Sequence, residues 1–377
     1  MDIVELLSER TRDNAVKKLS DLEQELLVQP IVIFGCGYLG SKVGKLLLSK
    51  GCSIIACTDN NEKKWGAEIN GITIISPADA AKLHGDAIFI VTIWSPGHSF
   101  ATTTKQLADL GIKRVVHVAA VLQLFPNELL PHFHFQTPDY FFKHRAQIAE
   151  VYNAFADDES KRQYLAHIDC RINLNFEGLP ESDPKNQYFP HGVVLLNDQE
   201  VFFDAGAYDG DTLQEFLERV EYKFDRYIAL EPDPGNRVKL QRKVESLNTD
   251  RVDIYPFAVG KENCTLTFNA TGGPGAGISA NGNGEIEVEC VRIDDKFFEE
   301  RISYMKFDIE GAELGALLGA EKTIEKSKPK IAVCLYHLPD DPWSIPLYLK
   351  AKFPFYKFFV RTHHLDGFEF VLYAIPD

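Results

Sequence analysis

Three short strings in the second half of the chain carry residues fitted for chemistry. Asp204 closes the apolar run Val201-Phe202-Phe203 and is followed by Ala205-Gly206-Ala207-Tyr208-Asp209-Gly210. Glu231 closes Tyr227-Ile228-Ala229-Leu230. Lys306, Asp308 and Glu310 alternate through Met305-Lys306-Phe307-Asp308-Ile309-Glu310-Gly311. A glycine turn lets backbone approach a ligand with no Cβ in the way. The start of the following helix presents free N–H groups to an anion, and Thr212 adds a hydroxyl there. An acid at the end of the next strand accepts hydrogen bonds from both hydroxyls of a ribose. Pro232 then ends the strand ladder, because it has no N–H. The candidate cofactor residues are therefore Asp204, Gly206, Ala207, Tyr208, Asp209, Gly210, Thr212, Glu231 and Pro232. The turn lacks the Gly-x-Gly-x-x-Gly spacing that seats a pyrophosphate. That favours S-adenosylmethionine over NAD in this half.

Alternate residues of a strand share a face, so Lys306, Asp308 and, if the strand persists, Glu310 point the same way. Charges on a central strand are costly unless paired or exposed at a site. Three uses of Asp308 and Glu310 stay open: orienting a cofactor's ammonium, binding a divalent cation, or placing an acceptor hydroxyl. The plain alternative is a Lys306–Asp308 ion pair with Glu310 capping the next helix. His337 follows the next strand and would emerge at the same sheet edge, where an imidazole takes a proton from a hydroxyl; its alternative is a histidine satisfied by loop carbonyls. Lys306, Asp308, Glu310 and His337 are the candidate catalytic residues, and the metal requirement is open. Arg361, His363 and His364 are expected in a solvated turn. Thr271–Gly284, with its glycines, is either a flap over the acceptor or a plain hairpin loop.

A second glycine pattern lies far upstream. Gly35-x-Gly37-x-x-Gly40 follows the apolar strand Ile31–Phe34, opens a helix, and precedes Asp59 at the end of the next strand. This is the dinucleotide fingerprint in its proper context. It makes Gly35, Gly37, Gly40 and Asp59 candidates for a second nucleotide, NAD or a nucleotide-sugar, or else the frame of a shell that binds nothing. No hydride-transfer residues accompany it, and no Tyr-x-x-x-Lys pair follows its sheet.

The elements that must position these residues are legible from periodicity. Val16, Leu19, Leu22, Leu26 and Leu27 predict an amphipathic helix over about 11–28, leaning on the first domain or on a second subunit. Apolar strands near residues 31, 53, 72, 87 and 114 alternate with helical stretches, which implies a parallel sheet with helices on its faces. The alternation lapses over about 121–195, an aromatic-rich segment expected to pack on the catalytic domain, and restarts at Val201. Two late strands, around Lys357–Val360 and Phe368–Ala374, predict an antiparallel hairpin. The expected fold is α/β with two Rossmann-like domains. The division is a helix (1–29), a Rossmann-like nucleotide-binding domain (30–120), a connecting segment (121–195) and an S-adenosylmethionine-dependent methyltransferase domain (196–377).

Composition narrows the partners. The 377 residues carry a net charge of −15, which disfavours a nucleic-acid backbone and an anionic membrane surface. Hydrophobic residues make up 45%, enough for real cores. The seven cysteines show no ligand spacing, and with no signal peptide they read as reduced cytoplasmic thiols. The longest apolar run, near Ala87–Trp94, is far short of the ~20 residues a membrane span needs.

The strings Phe202 to Thr212, Ala229-Leu230-Glu231-Pro232-Asp233, Phe257-Ala258-Val259-Gly260, Met305 to Glu313, Tyr336-His337 and Phe370 to Ala374 together resemble the FkbM-type methyltransferase family over roughly residues 155–377. The resemblance implies a class I S-adenosylmethionine fold and O-methylation of a sugar, glycan or secondary metabolite. It also adds Ala258 and Val259 to the cofactor contacts. The first domain is similar to small nucleotide-binding domains of bacterial polysaccharide-biosynthesis proteins. The competing expectation is a nucleotide-sugar-binding or NAD-dependent sugar-modifying protein centred on that domain. The acceptor, the oligomeric state and any homo-oligomer remain open at this level.

Overall fold

The computed structural model describes residues 2–247, 249–270, 277–278 and 286–377, the pair 277–278 by backbone alone. The glycine-rich Thr271–Gly284 stretch therefore lies almost wholly outside the described residues. The chain divides into two compact units: residues 1–152, 162–182 and 364–368 in one, residues 153–161, 183–363 and 369–377 in the other.

In the first unit Ser8 caps the helix Glu9–Val28 by accepting the Thr11 N–H, and Ala15, Leu22 and Leu26 form its buried stripe. The strands Ile31–Phe34, Ile54–Thr58, Ile72–Ile75, Ile88–Val91 and Val115–His117 follow. They pair in parallel in the spatial order third, second, first, fourth, fifth, and the short Glu68–Ile69 runs antiparallel at the edge. Side chains alternate across the pleat. Ile31 and Ile33 enter one core with Val43 and Leu47, and Val32 and Phe34 enter the other with Phe89 and Leu107. Burial on both faces is why these strands read as unbroken apolar runs.

The second unit holds seven strands in the spatial order Val252–Tyr255, Arg226–Leu230, Val201–Ala205, Tyr304–Phe307, Lys330–Cys334, Phe370–Pro376, Tyr356–Thr362. The first five are parallel, and Phe370–Pro376 is antiparallel to both of its neighbours. The expected terminal hairpin is thus present. Phe202 and Tyr227 stack across neighbouring strands at 5.0 Å, both fully buried; removing such a ring costs about 3–5 kcal/mol. Val201–Ala205 is flanked by Arg226–Leu230 on one side and Tyr304–Phe307 on the other, so the chain winds first one way and then the other. That reversal opens a crevice at the carboxyl ends of the strands. A second, four-stranded sheet contains Ala258–Val259, Cys264–Asn269, Gly277–Ile278 and Ile286–Val291.

Candidate functional site

The crevice begins at the turn after Val201–Ala205. Gly206 has φ +86°, and a Cβ there would stand 2.0 Å from the Asp308 carbonyl oxygen. No side chain fits, and the missing atom lets the two strand ends close on each other. Tyr208 and Gly210 also take positive φ, at 47° and 85°, which curls the turn ahead of the helix Asp211–Arg219; the Gly206 and Ala207 N–H groups donate to the Leu230 carbonyl and the Gly210 N–H to the Ala207 carbonyl. Asp211 itself accepts the Thr212 N–H at 2.7 Å, so that donor is already used. Lys243 Nζ lies 4.0 Å from Asp209 Oδ1.

Two buried groups brace the turn from below. Lys306 Nζ is 2.9 Å from Asp204 Oδ1 and donates to the Gly206 carbonyl at 2.5 Å. Tyr227 donates to Asp204 Oδ2 at 2.5 Å. Lys306 is therefore paired with Asp204, where the plain sequence alternative paired it with Asp308. Its ammonium is spent on holding the turn.

Glu231 is buried beside the turn. Its carboxylate accepts the Tyr208 N–H and the Asp233 N–H, each at 2.8 Å. Burial pushes this carboxyl up to about 7 against the pull of those two donors. Ala258 and Val259 are buried and pair with Cys290 and Val291 of the smaller sheet. Pro232 is half-buried.

The other side of the crevice is a cluster around His337. The strand Tyr304–Phe307 stops before Asp308, and Glu310 has φ +57°. Asp308 and Glu310 therefore leave the backbone at a turn, not from a continuing strand, and a different acid binds the local backbone: Glu313 Oε1 accepts the Ile309 N–H at 2.9 Å. Glu313 Oε1 also lies 2.8 Å from His337 Nδ1. His337 Nε2 stands 3.4 Å from Asp308 Oδ1 and 3.9 Å from Glu310 Oε2. Loop carbonyls play no part in these contacts. Burial pulls the imidazole down, and Glu313, Asp308 and Glu310 overcome it and carry it up to about 10. Burial raises Glu310 to about 7. Asp308 ends below the usual carboxylate range, because Lys306 and His337 outweigh its burial.

Five members of this cluster escaped the sequence reading as site residues. Tyr188 donates to Asp308 Oδ2 at 2.7 Å. Tyr336 donates to Glu369 Oε1 at 3.0 Å, and Gln187 to Glu369 Oε2 at 2.6 Å. Glu313, the fifth, was visible only as the end of a motif. Glu369 did leave a signal, a lone acid between Phe368 and Phe370. Tyr188 and Gln187 left none, since nothing local marks a tyrosine before the first strand as a partner of Asp308. The region expected as a solvated turn is corrected in part: His363 is buried, its ring nitrogens 2.8 Å from the Asp183 carbonyl and 2.7 Å from the Tyr373 hydroxyl. Arg361 pairs with Asp157 at 2.7 Å.

In the first unit Gly35 has φ +107°, and a Cβ on Gly40 would stand 2.0 Å from the Gly35 carbonyl oxygen. Asp59 accepts the Cys36 N–H at 2.8 Å and the Asn61 N–H at 2.9 Å, and pairs with Lys64 at 2.7 Å. An open groove beside it is lined by Asn60, Trp65, Ser76, Pro77, Thr102 and Gln106. Beyond the ends of Ile88–Val91 and Val115–His117, Trp94 and His117 pack with Phe135, Phe176 and Phe368. His117 is buried and held down to about 3 by that burial, so it is a neutral packing group. Among the described residues, no helix is long and apolar enough to cross a membrane.

Residues 204–370 match the family model of the methyltransferase FkbM domain, and residues 28–115 match a model described as C2185-like, N-terminal. No curated protein matches the chain. Among solved structures, a methyltransferase FkbM from Methylobacillus flagellatus KT is similar at 21% identity, covering 96% of this chain and 93% of that one, with a TM-score of 0.76. At that identity the likeness speaks for the fold. A UDP-D-quinovosamine 4-dehydrogenase from Vibrio fischeri aligns at 24% identity over 27% of this chain and 86% of its own, with a TM-score of 0.22. An Aeropyrum pernix fibrillarin with natively bound S-adenosyl-L-methionine aligns at 11% identity over 49% of this chain and 70% of its own, with a TM-score of 0.29.

Proposed function

We propose that this protein, whose residues 204–370 match the model of the methyltransferase FkbM domain, transfers a methyl group from S-adenosylmethionine to a hydroxyl of a sugar, glycan or secondary metabolite. The observation that carries the reading is Glu231: a buried carboxylate, facing the glycine turn, with two backbone donors and a raised affinity for protons. Such a group calls for further hydrogen-bond donors, and the two hydroxyls of a ribose supply them. The close approach of Gly206 to the Asp308 carbonyl brings the two strand ends together beside that carboxylate. The cofactor supplies a sulfonium-bound methyl group that an oxygen displaces in line.

The chain's own residues supply alignment and a path for a proton. Asp204 and Lys306 fix the turn from beneath. Glu231 would hold the ribose, with the Gly206–Gly210 turn beside it setting the place of the methionine end. Tyr188 fixes Asp308, and Glu313 fixes His337, on the side where the acceptor must enter. The hydroxyl proton passes to this carboxylate–imidazole cluster as the methyl arrives. No strong nucleophile is needed, because the work is positioning and exclusion of water.

The experiment is calorimetry of the full chain with S-adenosylhomocysteine, followed by incubation with labelled methyl donor and cell extract. Saturable binding and a labelled product with an O-linked methyl are expected. Absence of any binding sinks the reading, and an N- or C-linked methyl sinks the hydroxyl acceptor. We also propose that residues 28–115 dock a nucleotide or nucleotide-sugar. Support comes from the strained Gly35 turn and the groove beside Asp59. Titration with nucleoside diphosphates, nucleotide-sugars and NAD tests it. The free thiols support a reducing, cytoplasmic setting.

A further inference from the structure

We propose that Cys264 and Cys290 form a thiol-exchange site, at which a small disulfide of the glutathione class reacts and leaves the two cysteines bridged. This goes beyond the methyltransferase reading and does not rest on it. Cys264 opens the strand Cys264–Asn269, and Cys290 lies in Ile286–Val291. The two strands run antiparallel in the smaller sheet, and Cys264 is the direct partner of Cys290. Directly opposed residues of an antiparallel pair stand about 4.5 or 5.5 Å apart at Cα, according to their position in the ladder, with both side chains on one face. A disulfide spans about 4.4–6.8 Å at Cα. Either ladder position falls inside that range, so the bridge can close with the register unchanged.

The two thiols differ in their surroundings. All seven cysteines are free and lie among the described residues, and of these Cys264 alone is exposed. Cys290 is buried with Phe268 and Val288. Burial, with Cys264 and Glu262 adding to it, pushes the Cys290 thiol up to about 12. Access and protonation thus make Cys264 the attacking sulfur and Cys290 the resolving one. The Cys264 thiol gives its proton to water, and its sulfur displaces one thiolate from the small disulfide, keeping the other half as a mixed disulfide. Cys290 Sγ then attacks Cys264 Sγ, and the Cys290 proton goes to the thiolate that leaves. Two protein thiols and one small disulfide become one protein disulfide and two small thiols. The ladder holds the two sulfurs opposite each other, so the second step is intramolecular and outruns attack by a further small thiol. Cys36 and Cys57 are also neighbours. There, however, Cys57 is buried and in register with Ile33, and Cys36 Sγ donates to the Thr58 carbonyl at 3.4 Å.

The test is equilibration of the full chain with oxidised and reduced glutathione at a series of ratios, quenched by alkylation and mapped by mass spectrometry. A peptide pair linked through Cys264 and Cys290 is expected at oxidising ratios, with two of the seven thiols lost and both restored by excess reduced glutathione. Cys264→Ser keeps its remaining thiols free under the same treatment. Cys290→Ser retains one glutathione on Cys264, because nothing resolves it. Cys264 is exposed, so its serine variant leaves the core packed even where Cys290→Ser fails to fold. Seven free thiols at the most oxidising ratio overturn the proposal. So does a lasting glutathione on Cys264 of the wild type, or a Cys36–Cys57 bridge in place of the expected one.

Discussion

An acid ends the strand next to the first central strand in each unit, and the two acids are held in the same way by backbone. Asp59 takes one N–H from its glycine turn, at Cys36, and one from two residues onward, at Asn61. Glu231 takes one from its glycine turn, at Tyr208, and one from two residues onward, at Asp233. They differ in one neighbour. Lys64 sits on Asp59 at 2.7 Å, whereas among the described residues no cation lies within ion-pair range of Glu231. Burial works to raise both. At Asp59 the lysine and the backbone donors win and the carboxyl ends lowered; at Glu231 burial wins and the carboxyl rises to about 7. The same frame therefore gives one acid already neutralised by its own chain and one still short of donors. We infer that the second is where a ligand's hydroxyls are wanted.

The largest effect expected is at the turns that carry these donors. Gly206→Ala combines a positive φ with a Cβ 2.0 Å from backbone, so it should cost about 3 kcal/mol or more in thermal or denaturant unfolding. Gly37→Ala, at φ −97° with nothing within 4 Å of the new Cβ, should cost under ~1 kcal/mol. Equal losses would erase the contrast.

Next comes the pH dependence of stability. The folded-state value of Glu231 lies above its unfolded one, so its contribution is full below about 4.5 and is lost as pH rises through about 7. Above pH 7 the empty protein carries this acid at a cost of up to about 3 kcal/mol. Glu231→Gln should therefore stabilise the ligand-free protein at pH 8 and change little at pH 4. Destabilisation at pH 8 would mean that Glu231 is a structural acid like Asp59.

The same substitution should act oppositely on binding. Glu231→Ala weakens S-adenosylhomocysteine by about 1–3 kcal/mol, the loss of charge-assisted hydrogen bonds. Wild-type affinity should climb from pH 6 to pH 8 as the carboxylate ionises, and the Glu231→Gln profile should be flat. Unchanged affinity in a folded variant removes the ribose role. The smallest effect is at Asp59. Its lowered value makes its contribution present at neutral pH and lost as pH falls. Asp59→Asn should lower the melting temperature at pH 7 and leave it unchanged at pH 3. Lys64→Ala, by freeing Asp59, should strengthen any nucleotide binding on residues 28–115.

The two larger sheets were readable because their central strands are buried on both faces and separated by helices, so apolar runs and glycine turns stand out in the letters alone. Glu231 and Asp59 were readable for the same reason: each is the first charge after such a run. The other half of the pocket was less open to this reading. Tyr188 reaches Asp308 from a segment with no periodicity, and Glu369 reaches Tyr336 from the terminal hairpin. Those contacts are set by tertiary closure, which spacing in sequence does not encode. The condition on which Glu310 was to share a strand face with Lys306 and Asp308 is not met: the strand stops at Phe307, and positive φ values at Glu310 and Gly311 turn the chain. His363 misled for the opposite reason. A histidine beside an arginine near a hairpin tip looks wet, yet the Tyr373 hydroxyl and the Asp183 carbonyl absorb its polar atoms.

The way the chain alternates between its two units bears on how such a protein could have been assembled. Residues 153–161 leave the first unit for the second, and residues 364–368, at the tip of the terminal hairpin, return to the first. A gene fragment beginning at residue 196 would encode the seven strands but no Tyr188 for Asp308 and no Asp157 for Arg361. A cut at that seam would therefore strip the second unit of partners that belong to it, so its boundary in the folded chain is not a single point in the sequence.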